Sequence, residues 1–339
     1  MDNLVLLTNS NLKALINKRP GETKFGEQVK TLSNVTNIYE QLVGLDVDYV
    51  IVGLPEDVGV FSNLGKTGTS TAWEACLKVL LNIQNNHLTH AEKVLILGHI
   101  NFEKYLKKIG ELDANKKKDL QKARKLVEKI DKQVSHLIYQ IVKAGKIPII
   151  VGGGHNNSYG NIKGASLALN SPINAINFDA HTDFRAEEGR HSGNGFSYAY
   201  AEGFLKQYFM FGLHENYTSQ TIFKTLDKVK AIAYNTFEAI KVREELKFNS
   251  ELSRGLDHVC NAPFGLELDC DAIINVPSSA MTPSGFSSTK ARQFVHFMGK
   301  HPNVKYFHIC EAAPTLDTSS QVGKLITYLI TDFIRAHEN

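Results

Sequence analysis

Three short polar clusters stand where apolar stretches of the sequence end, and their side chains are of types that bind metal ions. The first is GGGH at 152–155, the second is DAHTD at 179–183, and the third is LDCD at 268–271. The alternation within the second and third clusters places each set on one side of an extended segment. The candidate ligands are His155, Asp179, His181, Asp183, Asp269 and Asp271.

These candidates supply four carboxylates and two imidazoles. Crowded carboxylates repel one another and shift toward the neutral form unless cations are present. Oxygen and imidazole ligands without thiolate favour manganese over zinc, iron or cobalt. Two such ions about 3.5–4 Å apart acidify a shared water molecule, which becomes a nucleophile. One such motif alone is more often a set of solvent-exposed polar residues at the end of a strand. Three of them in one chain predict a two-metal hydrolase.

Eight short apolar runs are typical of strands that are buried on both faces. They occupy residues 47–54, 94–97, 147–151, 173–178, 208–212, 229–234, 265–270 and 304–310. Amphipathic segments lie between them, most clearly at 116–144 and 319–336, and this alternation predicts a parallel sheet covered by helices on both faces. Because ligands bind at the carboxyl ends of such strands, the sheet should bring the three clusters together.

The composition and charge of the chain limit the partners and locations that we expect for it. The 339 residues carry a net charge of only +3, so a nucleic-acid partner is not indicated. No apolar stretch approaches the roughly 20 residues that cross a bilayer, so no membrane partner is expected. The four cysteines form no C-x-x-C pair, which favours reduced thiols in a cytoplasmic protein. We expect residues 1–46 to be an N-terminal extension packed on the core, and residues 47–339 to form a single catalytic domain.

The three clusters resemble the metal-binding signatures of the ureohydrolase family, which includes arginase, agmatinase and formimidoylglutamase. A fourth motif, CEAAP at 310–314, is similar to the late strand end where the family carries a substrate-contacting glutamate. The resemblance implies a three-layer α/β/α fold with an eight-stranded, mostly parallel sheet. It also implies a small amidine or guanidine substrate, and assembly into a trimer or hexamer.

The resemblance further implies a role for each candidate residue. His155, Asp179, Asp183 and Asp269 would hold one Mn²⁺. Asp179, His181, Asp269 and Asp271 would hold the second, with Asp179 and Asp269 bridging. Asp183 would also hydrogen-bond the nucleophile, and Glu311 would anchor the cationic NH groups of the substrate.

The sequence departs from the family pattern at several positions. Glu267 stands where the third motif usually begins with serine, and no Asp-Pro pair follows Asp271. Phe196 takes the place of the histidine that is thought to shuttle protons in arginases. This aromatic resembles formimidoylglutamase and favours N-formimidoyl-L-glutamate, cleaved to L-glutamate and formamide in histidine breakdown, over arginine or agmatine.

The loop after the second motif holds the remaining candidates. His191 is a candidate catalytic residue, although it lies off the register of the arginase histidine. Arg190 and Asn194 are candidate substrate-binding residues, and either Arg185 or Arg190 could pair with a substrate carboxylate. A plain surface role is an equally good interpretation of either arginine.

Two other classes of function stay open. The chain could be a metal-binding relative that no longer turns over, although all six ligand residues are present. The stretch 59–67 resembles a phosphate-binding loop, but five residues separate its glycines where that motif requires four. In ureohydrolases this stretch borders the active site, so we expect Asn63 or Gly65 near the pocket.

Overall fold

A computed structural model describes residues 3–338 of the chain. Its centre is one nine-stranded sheet. The strands are β1 (Leu4–Leu6), β2 (Tyr49–Gly53), β3 (Val94–Ile100), β4 (Ile147–Val151), β5 (Ile173–Phe178), β6 (Leu205–Leu213), β7 (Ile232–Thr236), β8 (Phe264–Asp269) and β9 (Val304–Cys310). They lie in the order β1-β3-β2-β4-β9-β8-β5-β6-β7. Strand β1 pairs antiparallel with β3, and the other pairs are parallel.

Helices cover both faces of this sheet. They are α1 (Asn9–Leu15), α2 (Ile38–Val43), α3 (Val58–Ser62), α4 (Ala72–Leu80), α5 (Glu103–Gly110), α6 (Lys117–Lys143), α7 (Asn157–Leu169), α8 (Gly195–Ala201), α9 (Gln220–Leu226), α10 (Phe248–Val259), α11 (Ser288–Gly299) and α12 (Ser319–Glu338). Short 3-10 turns and one π-helical turn, Glu238–Val242, complete the connections.

Each face of the sheet has its own apolar core, because alternate strand residues point to opposite sides. In β2, Val50 and Val52 join the core beneath α6 and α7, whereas Tyr49 and Ile51 join the core beneath α4 and α12. The two helical layers and the sheet between them confirm the predicted three-layer α/β/α class.

The strand count is nine where eight were predicted, because residues 4–6 add an antiparallel edge strand. The same N-terminal segment carries α1 and α2, whose residues Leu12 and Leu42 belong to the two cores. The proposed boundary at residue 46 stays a prediction, and residues 1, 2 and 339 lie outside the described part of the chain. Within residues 3–338, no helix has both the length and the apolar character that crossing a bilayer would require.

Candidate metal centre

Four neighbouring strands in the middle of the sheet end at the same edge, and each delivers polar residues there. The order β4-β9-β8-β5 sets the four carboxyl ends side by side. His155 follows β4, Glu311 follows β9, and Asp269 is the last residue of β8. The DAHTD motif follows β5 directly. The sheet therefore brings together residues that lie up to 156 positions apart in the sequence, His155 and Glu311.

The backbone at this edge adopts uncommon conformations. Gly153 has φ of +72°, and a Cβ there would lie 2.8 Å from the carbonyl oxygen of Leu54, so only glycine lets the loop turn toward the site. Asp183 and Glu311 also have positive φ, of 43° and 59°, without being glycine. Such residues persist where the surroundings over-determine them, as happens at functional sites.

One group of ligand atoms surrounds the ring of His155. Its Nδ1 lies 2.8 Å from Oδ2 of Asp183, and 3.2 Å from Oδ2 of both Asp179 and Asp269. One ligand atom from each of the four residues lies within 4.8 Å of the others. All four residues are buried. This separation is the size of a coordination shell for a single ion.

A second group lies beside the first and shares Asp269 with it. Its other members are His181 and Asp271, again with ligand atoms within 4.8 Å of one another. Nδ1 of His181 lies 3.8 Å from Oδ2 of Asp271 and 3.5 Å from Oδ1 of Asp179. The two oxygens of Asp179 thus face different imidazoles, as those of a bridging carboxylate would.

The electrostatics of the two groups favour cation binding. Burial raises the pKa of Asp269 well above its usual range, and the charges of Asp271 and Asp179 add to this effect. Although burial lowers the pKa of His181, the carboxylates of Asp179 and Asp271 raise it to about 10. Protons thus compensate the crowded charge, and divalent cations could replace them. Each group offers carboxylate oxygens and an imidazole nitrogen without thiolate, which fits such ions, and the two groups together suggest a binuclear site.

Glu311 is placed differently from the predicted ligands. Its Oε1 accepts a hydrogen bond of 2.6 Å from the backbone N–H of His155. Its Oε2 is buried and has no hydrogen-bond partner within residues 3–338. Burial, followed by repulsion from Asp271, raises the pKa of Glu311 to about 8. A buried carboxylate oxygen without a partner is costly, so this atom is suited to receive a cationic ligand.

A cavity of about 220 Å³ opens onto both groups. Asp183, Asp271 and Glu311 line its polar side, and Tyr217 and Ile222 are among the side chains that line the rest. Two residues considered from the sequence, Asn63 and Gly65, also line it, as does Arg185. The Arg185 guanidinium donates a hydrogen bond of 2.7 Å to Oδ1 of Asn63, and its side chain is 49% exposed.

Three other sequence candidates lie in the same loop but outside this cavity. Nε of Arg190 lies 2.9 Å from Oδ2 of Asp131 on α6, and its Nη1 donates to Oδ1 of Asn194. The same Asn194 oxygen accepts the backbone N–H of His191. His191 is buried, and Nδ1 accepts the N–H of Gly193. The structure thus joins Arg190, Asn194 and His191 to one another, and does not bring them to the carboxylates.

Two further features concern protonation near the site. Burial, aided by the charges of Arg185 and Arg124, lowers the pKa of His191 to about 3, so the ring is neutral at physiological pH. Phe196 is fully buried against the ring of His155, with centroids 5.2 Å apart and planes nearly perpendicular. It packs the ligand from behind and does not line the cavity.

The sequence did not single out a buried network behind His155. Glu267 accepts a hydrogen bond of 2.8 Å from Tyr306 and lies 2.6 Å from Nδ1 of His308. Burial opposes ionisation of this acid, but His308 and His155 lower its pKa to about 2. The available signal was that Tyr306 and His308, two residues apart, place two polar groups on the same face of a strand that is otherwise mainly apolar.

Comparison with known proteins gives consistent matches. The arginase family model matches residues 47–335. A formimidoylglutamase of Streptococcus pyogenes serotype M3 is 22% identical over 291 residues, covering 83% of this chain and 82% of the relative.

Solved structures of the same fold are also similar. The formimidoylglutamase of Bacillus subtilis has a TM-score of 0.72 at 18% identity, covering 95% of this chain and 94% of that one. The Trypanosoma cruzi formiminoglutamase, solved with Mn²⁺, has a TM-score of 0.71 at 18% identity, covering 93% and 98%. At this identity the likeness establishes the fold.

Proposed function

The chain belongs to the arginase family, and from this premise we propose that it is a binuclear manganese hydrolase of N-formimidoyl-L-glutamate. Water adds to the formimidoyl carbon, the bond from that carbon to the glutamate nitrogen breaks, and the products are L-glutamate and formamide. The observation that supports this most strongly is a cavity lined by residues of both carboxylate–imidazole groups, by Glu311 with its unpartnered oxygen and by Arg185.

The two ligand groups would divide the metals between them. His155, Asp179, Asp183 and Asp269 would hold one Mn²⁺, while His181 and Asp271 would hold the other together with the bridging Asp179 and Asp269. When bound, the ions would lower the pKa of a water molecule and polarise the amidine. The two oxygens of Asp179, which face different imidazoles, support its bridging role.

Two acidic residues would act on the reacting groups. Asp183 lines the cavity beside His155, where its carboxylate can accept a hydrogen bond from the attacking water. Oε2 of Glu311 would accept the N–H groups of the amidine, which supplies the partner that this buried oxygen lacks. Both carboxylates are held by contacts with His155, Asp183 with its ring and Glu311 with its backbone N–H.

Arg185 is the candidate for binding a carboxylate of the substrate. It lines the cavity, and its half-exposed guanidinium contacts Asn63 and, at 3.4 Å, the exposed carboxylate of Glu188. Arg190 is already paired with Asp131 and only 3% exposed, so its charge is committed elsewhere. We propose that Arg190, Asn194 and His191 do not contact the substrate. They would support its binding by holding the loop whose Ser192 and Gly193 line the cavity.

The alternative is a guanidine hydrolase that releases urea from arginine or agmatine. Expulsion of a strongly basic amine from a guanidine gains from a general acid, usually a histidine. Phe196 carries no titratable proton, and the buried His191 stays neutral. A formimidoyl carbon bears one nitrogen fewer than a guanidine and is more open to attack. These residues therefore favour the formimidoyl substrate.

The test is a comparison of N-formimidoylglutamate, arginine and agmatine on the Mn²⁺-loaded protein at neutral pH. We expect N-formimidoylglutamate to have the highest kcat/KM. If arginine is preferred and His191→Ala abolishes its turnover, the arginase alternative stands. If no amidine or guanidine is turned over, the chain is a non-catalytic relative.

Arg185→Met then tests carboxylate recognition. Loss of a charge-assisted contact should raise KM for N-formimidoylglutamate by roughly 10–150-fold, and should spare any turnover of agmatine, which has no carboxylate. Arg292→Met on α11 is the matched control, because that arginine pairs with Asp332 and does not line the cavity. Equal KM values for Arg185→Met and Arg292→Met would place carboxylate binding elsewhere.

Assembly into a trimer or hexamer and a cytoplasmic location stay predictions.

A further inference from the structure

We propose that Glu267, together with His308 and Tyr306, is the positioning group that fixes the ring of His155 for metal binding. The inference rests on the proposed metal site and adds a role for a residue that departs from the family motif. None of the three side chains lines the cavity, so none is a candidate to touch substrate.

The geometry places the Glu267 carboxylate directly behind His155. Its Oε2 lies 3.5 Å from Nε2 of His155 and 2.6 Å from Nδ1 of His308. Its Oε1 accepts the Tyr306 hydroxyl at 2.8 Å. Glu267, His155, His308 and Tyr306 are each fully buried, so water does not compete for these contacts.

The two ring nitrogens of His155 have different roles, and Glu267 faces only one of them, Nε2. Nδ1 faces Asp179, Asp183 and Asp269, so it is the atom directed at the metal position. A neutral imidazole that binds a metal through Nδ1 carries its proton on Nε2. Within residues 3–338, that Nε2 is buried without a hydrogen-bond partner, and the Glu267 carboxylate faces it. A carboxylate behind a ligating histidine selects the tautomer and orients the ring.

The contacts of His308 connect Glu267 to the backbone of the loop that carries His155. Nε2 of His308 lies 3.3 Å from the carbonyl oxygen of Gly152, which is only an acceptor. Nδ1 of the same ring faces the Glu267 carboxylate, so His308 links Glu267 to the Gly152 carbonyl oxygen. Gly152 belongs to the loop that carries His155, so the network supports this ligand through both its ring and its backbone.

The experiment measures Mn²⁺ affinity rather than activity. Wild type, Glu267→Gln and Glu251→Gln are stripped of metal and titrated with Mn²⁺ by calorimetry, and electron paramagnetic resonance reports the spin-coupled pair. Glu251 is the matched control, because it is a buried glutamate on α10 that accepts from Asn235 and Arg254. We expect Glu267→Gln to weaken one of the two binding steps by about 10–100-fold and to reduce the coupled signal at one equivalent per site. Glu251→Gln should bind as wild type does.

The outcomes separate this inference from the proposed function. If wild type binds no pair of Mn²⁺ ions, the proposed function fails. If wild type binds two ions and Glu267→Gln binds both with unchanged affinity, only the positioning role is overturned. Should Glu267→Gln not fold, Tyr306→Phe keeps the buried charge and removes one hydrogen bond. It should weaken the same step by roughly 2–10-fold, and unchanged affinity would overturn the role.

Discussion

Glu311 combines three properties that are costly at a single residue. It is buried, its backbone is left-handed without being glycine, and one carboxylate oxygen has no partner within residues 3–338. Each of these features destabilises a folded chain unless something compensates for it. A bound cationic amidine would supply the partner that this oxygen lacks, which supports the proposal that Glu311 anchors the substrate.

Replacing Glu311 by glutamine should therefore separate substrate anchoring from metal binding. Glu311→Gln should retain two Mn²⁺ ions and lose about 2–4 kcal/mol of transition-state stabilisation, a decrease in kcat/KM on the order of 30–900-fold. Steady-state kinetics with metal analysis measure both quantities, and Glu251→Gln is the control for loss of a buried carboxylate. A kcat/KM equal to that of wild type would assign the amidine to another residue.

The residues also differ in how far the sequence could identify them. The six proposed ligands could be identified from the sequence, because each follows or ends an apolar run. A parallel sheet had to bring such residues to one edge. The sequence could not show which of Arg185 and Arg190 lines the cavity, because both belong to the same loop. The partner that removes Arg190 from the cavity is Asp131, which lies 59 residues earlier on α6. Only the packed structure shows that pairing.

At the scale of the elements, the strands between 147 and 310 were predictable from their composition. Strands β4, β5 and β9 have the predicted bounds, since each is a run of mostly apolar residues, as strands buried on both faces are. Strand β1 could not be predicted, because three residues are too few for any periodicity. It forms only by pairing with β3, and that contact is not encoded locally.

The pair of helices α6 and α7 holds the site from one side of the sheet, because α7 begins two residues after His155. Their close packing depends on two glycines of α7. A Cβ at Gly164 would lie 2.6 Å from the backbone oxygen of Ser135, and one at Gly160 would lie 2.8 Å from Cβ of Val134. Atoms held by the backbone cannot rotate away as the end of a flexible side chain can. A methyl group at either position would therefore force α6 and α7 apart.

Gly164→Ala should destabilise the protein by about 1–3 kcal/mol, although alanine is the better helix former. The control is Gly110→Ala in α5, where a Cβ meets nothing within 4 Å; it should be neutral or stabilising by up to about 1 kcal/mol. Urea unfolding of the two variants and wild type gives the midpoints. If both variants unfold at the same urea concentration, close packing of α6 on α7 does not limit stability.

For the molecule as a whole, the proposed metals would tie together strands from distant parts of the chain. The ligands follow or end β4, β5 and β8, and Glu311 after β9 completes the same edge. Without metals, buried carboxylates repel one another there, and burial with the charges of neighbouring aspartates raises the pKa of Asp269. Metal binding should thus stabilise the central sheet and not only a surface loop, since an ion that binds the folded state alone adds to its stability.

Loading with Mn²⁺ should accordingly raise the melting temperature of the whole domain. Two sites filled at about 100 times their Kd contribute roughly 5 kcal/mol, which for this chain length corresponds to about 5–10 °C. Differential scanning calorimetry with and without metal, and after addition of a chelator, measures the shift. Asp269→Asn, which removes a ligand shared by both groups, should lose most of it, whereas Asp257→Asn on the exposed side of α10 should keep it. A Mn²⁺-dependent shift of the same size in Asp269→Asn would mean that the stabilising ions bind somewhere other than this edge of the sheet.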